Sequence, residues 1–191
     1  GSAYTFFRYQ MQRAAEEALA VHGLVAQQFE ECFGRRYGVV EGFMLDDAER
    51  VLVMSNSFST VGKAEVERLR ARGERVGLLR LRLIRPFPHD EIARRLVGRR
   101  AVAVIDQNLS VGKGGILFAE VASALQGRRD APPLLSFVGG LGGRRFRSED
   151  FDQIVAALAL AEGEGGSPAP HLLYSEDEYR QVLAMLRTAG R

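Results

Sequence analysis

"RVLVMSNSFSTVGKAEVERLRARGERVGLLRLRLI", residues 50–84, contains the pattern of a strand, a helix and a second strand. The apolar run 50–55 is typical of a strand that is covered on both faces of a sheet. We expect Ser59 or Thr60 to cap the helix that follows. The run 75–84 predicts the next strand. Two strands joined by a helix of about a dozen residues indicate a right-handed βαβ unit in a mostly parallel sheet.

The same alternation continues on both sides of this unit. Further strands are predicted at 37–45, 100–106 and 133–140, and further helices at about 89–97, 116–126 and 148–161. The segment 37–45 is interrupted by Gly38, Glu41 and Gly42, which indicates an antiparallel edge strand. The sequence therefore predicts an α/β domain over 37–161, with three layers and a mostly parallel five-stranded sheet.

Two helical segments flank this domain. Residues 6–33, within a first unit at 3–36, predict a long amphipathic helix. Its apolar stripe consists of Met11, Ala15, Ala18, His22, Val25, Phe29 and Cys32. We interpret this unit as a link from an upstream domain, and we expect its stripe to be only partly covered. The Gly- and Pro-rich segment 162–174 predicts a flexible linker, and 175–191 predicts a last amphipathic helix.

Composition limits the classes of function. The 191 residues are 46% apolar and 26% charged, with a net charge of +2, which is typical of a globular protein and does not indicate nucleic-acid binding. No segment approaches the roughly 18 consecutive apolar residues of a membrane span. We therefore expect a cytoplasmic protein with neither a nucleic-acid nor a membrane partner. The single cysteine, Cys32, excludes an internal disulfide and an iron–sulfur site made by this chain alone.

The stretch "LIRPFPHDEI", residues 83–92, separates a strand from a helix. Proline fixes its own φ and pushes the preceding residue towards an extended backbone, so Arg85 to Pro88 predict a rigid corner rather than the rim of an active site. Just before this corner, Arg80 and Arg82 share one face of a strand. We expect that strand to lie towards a sheet edge, or its arginines to meet carboxylates. The alternative is that both arginines extend into solvent. The candidate carboxylates by composition are Glu16, Glu17, Glu30 and Glu31.

Ligands in open α/β sheets lie beyond the carboxyl ends of the strands. The loops expected there carry glycines, hydroxyls and arginines that could bind an anion. The candidate residues are Ser57, Ser59, Thr60, Gly114, Gly115, Gly142, Gly143 and Arg144. Residues 138–147 are the most suggestive, because glycine lets backbone amides approach an anion while guanidinium groups fork around it. No loop has a nucleotide-binding motif, and the alternative is that the glycines only make tight turns.

No catalytic constellation is evident. The three histidines lack metal-ligand spacing, and no serine lies in a G-x-S-x-G motif. We therefore predict no catalytic residue and no metal site in this chain. His22, on the apolar stripe, is a candidate interface residue, as are Arg85 and Phe87 at the corner.

Three stretches together resemble one known family. They run from "FGRRYGVVEGFML" through "RPFPHDEI", continue with "AVAVIDQNLSVGKGGILFAEVASAL", and end with "FVGGLGG" followed by an arginine and an acidic helix start. In order and spacing, over about residues 6–160, they look like the end of the α subunit of pyruvate (2-oxoacid):ferredoxin or flavodoxin oxidoreductases. The domain implied is the transketolase C-terminal-like domain.

The resemblance implies an enzyme that oxidatively decarboxylates a 2-oxoacid to an acyl-coenzyme A and passes electrons to ferredoxin or flavodoxin. It implies thiamine diphosphate, magnesium and iron–sulfur clusters in the complete enzyme. It also implies that the thiamine pyrimidine is held by a domain before residue 6, and that the other cofactor sites belong to other domains or subunits. This chain departs from the family in its linker and last helix, and in "SNS" at 55–57, where many relatives have "MGS".

Three hypotheses about function follow. The leading one is a non-catalytic accessory and assembly domain that binds no cofactor itself. Its partners would be the missing pyrimidine-binding domain and the other subunits, and a homodimer is a further option. The alternative is an autonomous module that binds a phosphate-bearing ligand such as coenzyme A at 138–147. The third is a small stand-alone enzyme of unknown reaction.

Overall fold

A computed structural model describes residues 1–190. Its helices are α1 (Ser2–Phe33), α2 (Phe58–Ala71), α3 (His89–Leu96), α4 (Ile116–Leu125), α5 (Ser148–Glu164) and α6 (Glu176–Thr188). Its strands are β1 (Val40–Phe43), β2 (Arg50–Ser55), β3 (Val76–Leu81), β4 (Ala101–Asp106), β5 (Leu134–Val138) and β6 (Ser167–Leu172).

The strands form one sheet in the order β1-β3-β2-β4-β5-β6. Strand β1 pairs with β3 in antiparallel orientation, and the other four pairings are parallel. The α/β class, the mostly parallel sheet and the antiparallel edge strand are confirmed.

Strand β6 lies inside the segment that we predict as a flexible linker, so the sheet has six strands rather than five. Its sequence carries Pro168 and Pro170, and proline cannot donate to a strand ladder. The prolines are tolerated here because β6 is an edge strand that pairs with β5 alone. Gly166 makes the approach possible, since a Cβ there would lie 2.6 Å from backbone atoms of Leu134.

The core is divided between the two faces of the sheet. On one face, α2 and α5 cover the strands with Val66, Leu69, Phe151, Ile154 and Leu158. On the other face, α3 and α4 do so with Ile92, Leu96, Val121 and Leu125. The predicted three-layer arrangement is therefore confirmed.

Helix α1 is hardly covered by the rest of the chain. Ala26 is its one buried residue, and half-buried Ala15, Leu19, His22 and Phe29 share its inward side. Of the predicted stripe, Ala15, His22 and Phe29 lie on this inward side, so the stripe is only partly covered, as expected. Its other members belong to a second apolar stripe that faces solvent. This outer stripe of α1 consists of Phe7, Met11, Ala14, Ala18, Val21, Val25 and Cys32, all of them exposed.

Arg80 of β3 and Arg82 just after it meet a carboxylate, as predicted, but the carboxylate is Glu41 of the neighbouring strand. Glu41 lies opposite Arg80 in the β1–β3 register, and its Oε2 is 3.6 Å from Nη1 of Arg80. The same oxygen accepts a hydrogen bond from Arg82, and Lys63 of α2 bonds the other oxygen. The glutamates of α1 are not the partners: Glu16, Glu17, Glu30 and Glu31 are exposed on a helix that covers little of the sheet.

Candidate functional site

Four loops meet at one edge of the sheet. Strands β3, β2, β4 and β5 are parallel neighbours, so their carboxyl ends lie side by side. This edge is where open α/β sheets bind ligands. It brings together the predicted candidates Ser57, Ser59 and Thr60 after β2, Arg85 and Phe87 after β3, Gly114 and Gly115 after β4, and Gly142, Gly143 and Arg144 after β5.

The loop after β2 leaves two of its three predicted hydroxyls accessible to a ligand. Ser57, rather than Ser59 or Thr60, occupies the cap position of α2, and it makes no side-chain cap hydrogen bond. Ser59 is fully buried, and its Oγ donates to the backbone oxygen of Asn56 at 2.6 Å. Ser57 and Thr60 are exposed. Ser59 therefore holds the turn between β2 and α2 together.

The loop after β4 already contains an anion, and that anion is the carboxylate of Asp106. Its oxygens accept the N–H groups of Leu117 and Phe118, at 2.8 and 3.1 Å, at the start of α4. A Cβ on Gly115 would lie 2.1 Å from this carboxylate, so a residue without a side chain is required there. Burial raises the pKa of Asp106, although the backbone hydrogen bonds act in the opposite direction. Gly114 and Gly115 form the turn that leads into α4, and Asp106 takes the place that an external anion would need.

The loop after β5, residues 138–147, is named here the Gly/Arg loop. Gly142 and Gly143 lie in a short 3-10 turn, Leu141–Gly143, with φ of 64° and 82°. Glycine adopts these left-handed angles without the strain that a side chain would cause. The glycines therefore shape this loop and leave its backbone open on one side, since a Cβ on either would meet nothing within 4 Å.

Arg144 fixes the Gly/Arg loop to α5. Its side chain is only 11% exposed, and Nη1 and Nη2 donate to the two oxygens of Asp150 at 3.2 and 2.9 Å. Asp150 also accepts the backbone N–H of Arg147 at 2.8 Å, which caps the first turn of α5. A bidentate arginine–carboxylate pair of this kind is strong and directional.

The remaining edge of the Arg144 guanidinium faces Glu178 of α6. Oε2 of Glu178 lies 2.9 Å from Nε of Arg144. The buried Nε–H is not aligned for a hydrogen bond, so the contact is an ion pair. The same carboxylate oxygen accepts the backbone N–H of Ser175 at 2.5 Å, and Ser175 Oγ accepts the N–H of Glu178. The hydrogen bonds with Ser175, together with the charge of Arg144, lower the pKa of Glu178.

A cavity of about 530 Å³ lies beside these groups. It is lined by the glycine turn, Phe146, Glu178 and the three arginines Arg144, Arg145 and Arg147. Arg145 and Arg147 are exposed, and the lining carries more positive than negative charge. The volume falls in the range of small-molecule sites.

The corner after β3 has a structural role and also faces α1. Phe87 is 7% exposed within the core, and its ring packs edge-on against His89 at 5.1 Å. Arg85 donates to Glu120 at 2.5 Å, and the Arg85–Pro86 bond is cis. A cavity of about 440 Å³ separates the corner from the inward side of α1. His22 lies one turn beyond this cavity, on the same side of α1, and the interface role of these residues stays a prediction.

Residues 48–151, from just before β2 to the first turn of α5, match the family model described as pyruvate:ferredoxin oxidoreductase core domain II. The chain belongs to this family. The matched region of core domain II includes β2 to β5 and the Gly/Arg loop, whereas α1, β1, β6 and α6 lie outside it.

Curated relatives are subunits of 2-oxoacid oxidoreductases. The chain is 36% identical over 154 residues to the pyruvate synthase subunit PorA of Methanosarcina barkeri, covering 80% of this chain and 38% of that subunit. It is 39% identical over 152 residues to the ketoisovalerate oxidoreductase subunit VorA of Pyrococcus abyssi, covering 79% and 38%. The chain thus spans about two-fifths of the length of these relatives. A solved 2-oxoglutarate:ferredoxin oxidoreductase from Magnetococcus marinus shows a distant likeness, with a TM-score of 0.48, 17% identity and coverage of 69% of this chain and 21% of that one.

Three carboxylates that pair with backbone N–H groups or cations in this domain are missing from the sequence-based candidates: Asp106, Glu178 and Glu41. Asp106 had a local signal, because it ends a strand and is followed by a glycine-rich loop before a helix. Glu178 had a signal only for its capping role, in the Ser175-x-x-Glu178 pattern. Glu41 was recognised only as an interruption of its strand. Their partners are distant in sequence, so the pairings themselves had no local signal.

Two further features concern metals and membranes. Within residues 1–190, His, Cys, Asp and Glu side chains do not form a group of three that could hold a metal ion. Across the same part of the chain, each helix is too short or too polar to span a bilayer.

Proposed function

We propose that this chain is an assembly domain of a thiamine-diphosphate-dependent 2-oxoacid:ferredoxin oxidoreductase, and that it has no catalytic activity of its own. The observation that carries the proposal is the outer stripe of α1. A helix of 32 residues with one buried residue leaves a large apolar surface without a cover inside the chain. Exposed apolar patches of this extent are typical of protein–protein interfaces.

The geometry of the outer stripe fits a second helix. Its members follow one another at steps of four and three residues from Phe7 to Val25, the spacing by which two helices pack side by side. The small residues Ala14 and Ala18 lie in its middle and would allow close approach of a partner backbone. The occupant we favour is the remainder of the oxidoreductase, since relatives are more than twice as long as the part they share with this chain.

The chemistry of the complete enzyme would lie outside this chain. The family to which the chain belongs, and the names of its relatives, support a 2-oxoacid such as pyruvate as the substrate of the complete enzyme. We infer that coenzyme A, thiamine diphosphate with magnesium, iron–sulfur clusters, and ferredoxin or flavodoxin serve that enzyme. The described residues do not suit an iron–sulfur cluster, because one exposed cysteine cannot supply the several thiolates that a cluster needs.

The test is assembly with the polypeptides encoded beside this one. We expect the co-expressed proteins to copurify and to reduce a viologen dye in the presence of pyruvate, whereas the isolated chain does not reduce the dye. Val25→Glu would place a carboxylate in the interface and weaken assembly by about tenfold or more, because an unpaired charge is costly to bury.

The matched control is Ala20→Glu, which adds the same charge to an exposed position on the opposite side of α1. It should leave assembly unchanged. Equal assembly of the two variants would rule out the outer stripe as the interface, and pyruvate turnover by the isolated chain would contradict its non-catalytic role.

A further inference from the structure

The Glu178 carboxylate lies beside Nε of Arg144, and another anion could displace it from there. Its side chain is 42% exposed, and its contact with Arg144 is an ion pair without a well-aligned hydrogen bond. Asp106 holds the other anion position of this edge but is 1% exposed and fixed by two backbone hydrogen bonds. Of these two carboxylates, only Glu178 is exchangeable.

Helix α6 has few contacts with the rest of the domain. None of its residues is buried, and among the described residues the Glu178–Arg144 pair is its one salt bridge to another element. The chain is anchored up to Leu173, which is 8% exposed and donates its N–H to Val138 at 2.8 Å. Helix α6 can therefore move away from the Gly/Arg loop without disturbing the core.

We propose that the Gly/Arg loop binds the phosphate group of a small-molecule ligand, and that α6 is a latch whose Glu178 this phosphate displaces. The phosphate would take the place of the Glu178 carboxylate at Nε of Arg144. The guanidinium groups of Arg145 and Arg147 line the same cavity and would supply further charge-assisted hydrogen bonds. The turn at Gly142 and Gly143, which has no side chains, lets an oxyanion approach the backbone.

The charge of the cavity favours a phosphate over a single carboxylate. Once Glu178 has left, three arginines line the cavity, and the one carboxylate that opposes them is Asp150 behind Arg144. A doubly charged phosphate compensates this excess better than the single charge that it replaces. The cavity of about 530 Å³ also has room for more than a phosphate group. This binding requires no other subunit, so it is independent of the assembly role.

The experiment titrates the full chain with pyrophosphate at constant ionic strength, using Glu178→Gln and the control Glu176→Gln. Glutamine at position 178 keeps the capping box but removes the charge that competes with phosphate. Glu176→Gln removes one charge from the same helix turn, where Glu176 pairs with Arg180 and not with Arg144. We expect Glu178→Gln to bind pyrophosphate about fivefold more tightly than the natural sequence, and Glu176→Gln to stay within about twofold.

Hydrogen exchange provides an independent measurement of the latch. Saturating pyrophosphate should speed amide exchange across α6 in the natural sequence, and Glu178→Gln should show fast exchange there without ligand. Replacing both Arg145 and Arg147 with Gln should weaken pyrophosphate binding about tenfold. In this variant without ligand, the amides of α6 should remain protected from hydrogen exchange. Equal affinities of Glu178→Gln and Glu176→Gln, unsaturable binding, or unchanged α6 exchange at saturation would each overturn the proposal. The results of these binding and exchange experiments are independent of the assembly test, because the assembly variants change α1 alone.

Discussion

Helices α1 and α5 are both amphipathic in sequence, but they bury very different surfaces. Helix α5, with 17 residues, buries Asp150, Phe151, Ile154, Val155, Leu158 and Ala161. Helix α1, with 32 residues, buries Ala26 alone. The difference lies in what precedes or follows each helix. Helix α5 follows the interior strand β5 and packs on one face of the sheet, whereas α1 precedes the edge strand β1.

This contrast shows that the stability of the domain and the surface offered to partners are located in different helices. Apolar side chains stabilise the fold only when another surface removes them from water. The sheet covers the apolar side chains of α5. The apolar side chains on the outer stripe of α1 can be covered only by a partner outside the chain. A change to α1 should therefore affect association, and a change to α5 should affect folding.

The largest expected effect separates the two helices by the same substitution. Leu158→Ala removes a fully buried side chain of α5 and should lower the free energy of unfolding by about 2–5 kcal/mol. Leu24→Ala shortens a side chain of α1 that is 64% exposed, and the change should be less than about 0.5 kcal/mol. Urea denaturation followed by circular dichroism measures both. Similar losses for the two variants would mean that α1 is part of the folding core.

A smaller effect is expected at the sheet edge next to α1, where Glu41 balances Lys63, Arg80 and Arg82. Glu41→Gln leaves these three cations without their shared carboxylate, with side chains between one-fifth and one-third exposed. We expect a loss of about 1–2 kcal/mol, between the values for surface and buried pairs. Glu67→Gln on α2 is the control, since Glu67 is exposed. A loss no larger than that of the control would mean that solvent, rather than Glu41, balances these cations.

The pH dependence of this loss has a definite sign. Partial burial acts to raise the pKa of Glu41, but hydrogen bonds from Lys63 and Arg82 outweigh it and lower the pKa. The stabilisation is therefore complete above the unfolded pKa of about 4.3 and is lost as the pH falls through the folded pKa. The stability gap between the natural sequence and Glu41→Gln should be widest at neutral pH and close in acid. A gap that widens below pH 4 would contradict the pairing.

Local patterns in the sequence were sufficient for most of the sheet and its helices. The apolar runs of β2 and β4, which alternate with helical segments, predicted a parallel α/β sheet. Strand β6 was not predicted, because Pro168 and Pro170 are compatible with a strand only at the edge of a sheet. Whether a strand lies at an edge depends on the tertiary structure. The inward side of α1 was not predicted for a related reason. Two apolar stripes fit the helical period, and only packing against the α/β domain decides which of them is covered.

The candidate site was less predictable than the fold. The sequence placed Arg144 and the glycines of the Gly/Arg loop at the correct edge, but it could not show that Asp150 and Glu178 neutralise that arginine. Glycine at position 115 looked like part of an anion cradle, whereas it makes room for Asp106. Whether a cation is free depends on partners that local sequence does not identify.

The smallest expected effect compares two arginine pairs, one in each part of the molecule. Arg68 bonds Asp152 at 2.9 Å and the backbone oxygen of Ser148 at 3.2 Å, and so ties α2 to α5. Its side chain is 30% exposed, and Arg68→Gln should cost about 0.5–1 kcal/mol. Arg13 and Glu17 pair at 3.3 Å within α1, with side chains 57% and 67% exposed. Arg13→Gln should cause no change that urea denaturation resolves, because such a pair is almost fully solvated.

High salt provides a further comparison of Arg68→Gln with Arg13→Gln. In 1 M NaCl, where charges are screened over about 3 Å, the loss caused by Arg68→Gln should shrink but persist, because its hydrogen bonds join two helices that pack on the same face of the sheet. If Arg13→Gln destabilised the chain as much as Arg68→Gln does, α1 would have to be folded cooperatively with the sheet. Its outer stripe would then be covered in solution by a second copy of the chain. Sedimentation of the natural chain at the same concentrations would test that explanation directly, since it should sediment as a monomer if α1 is free.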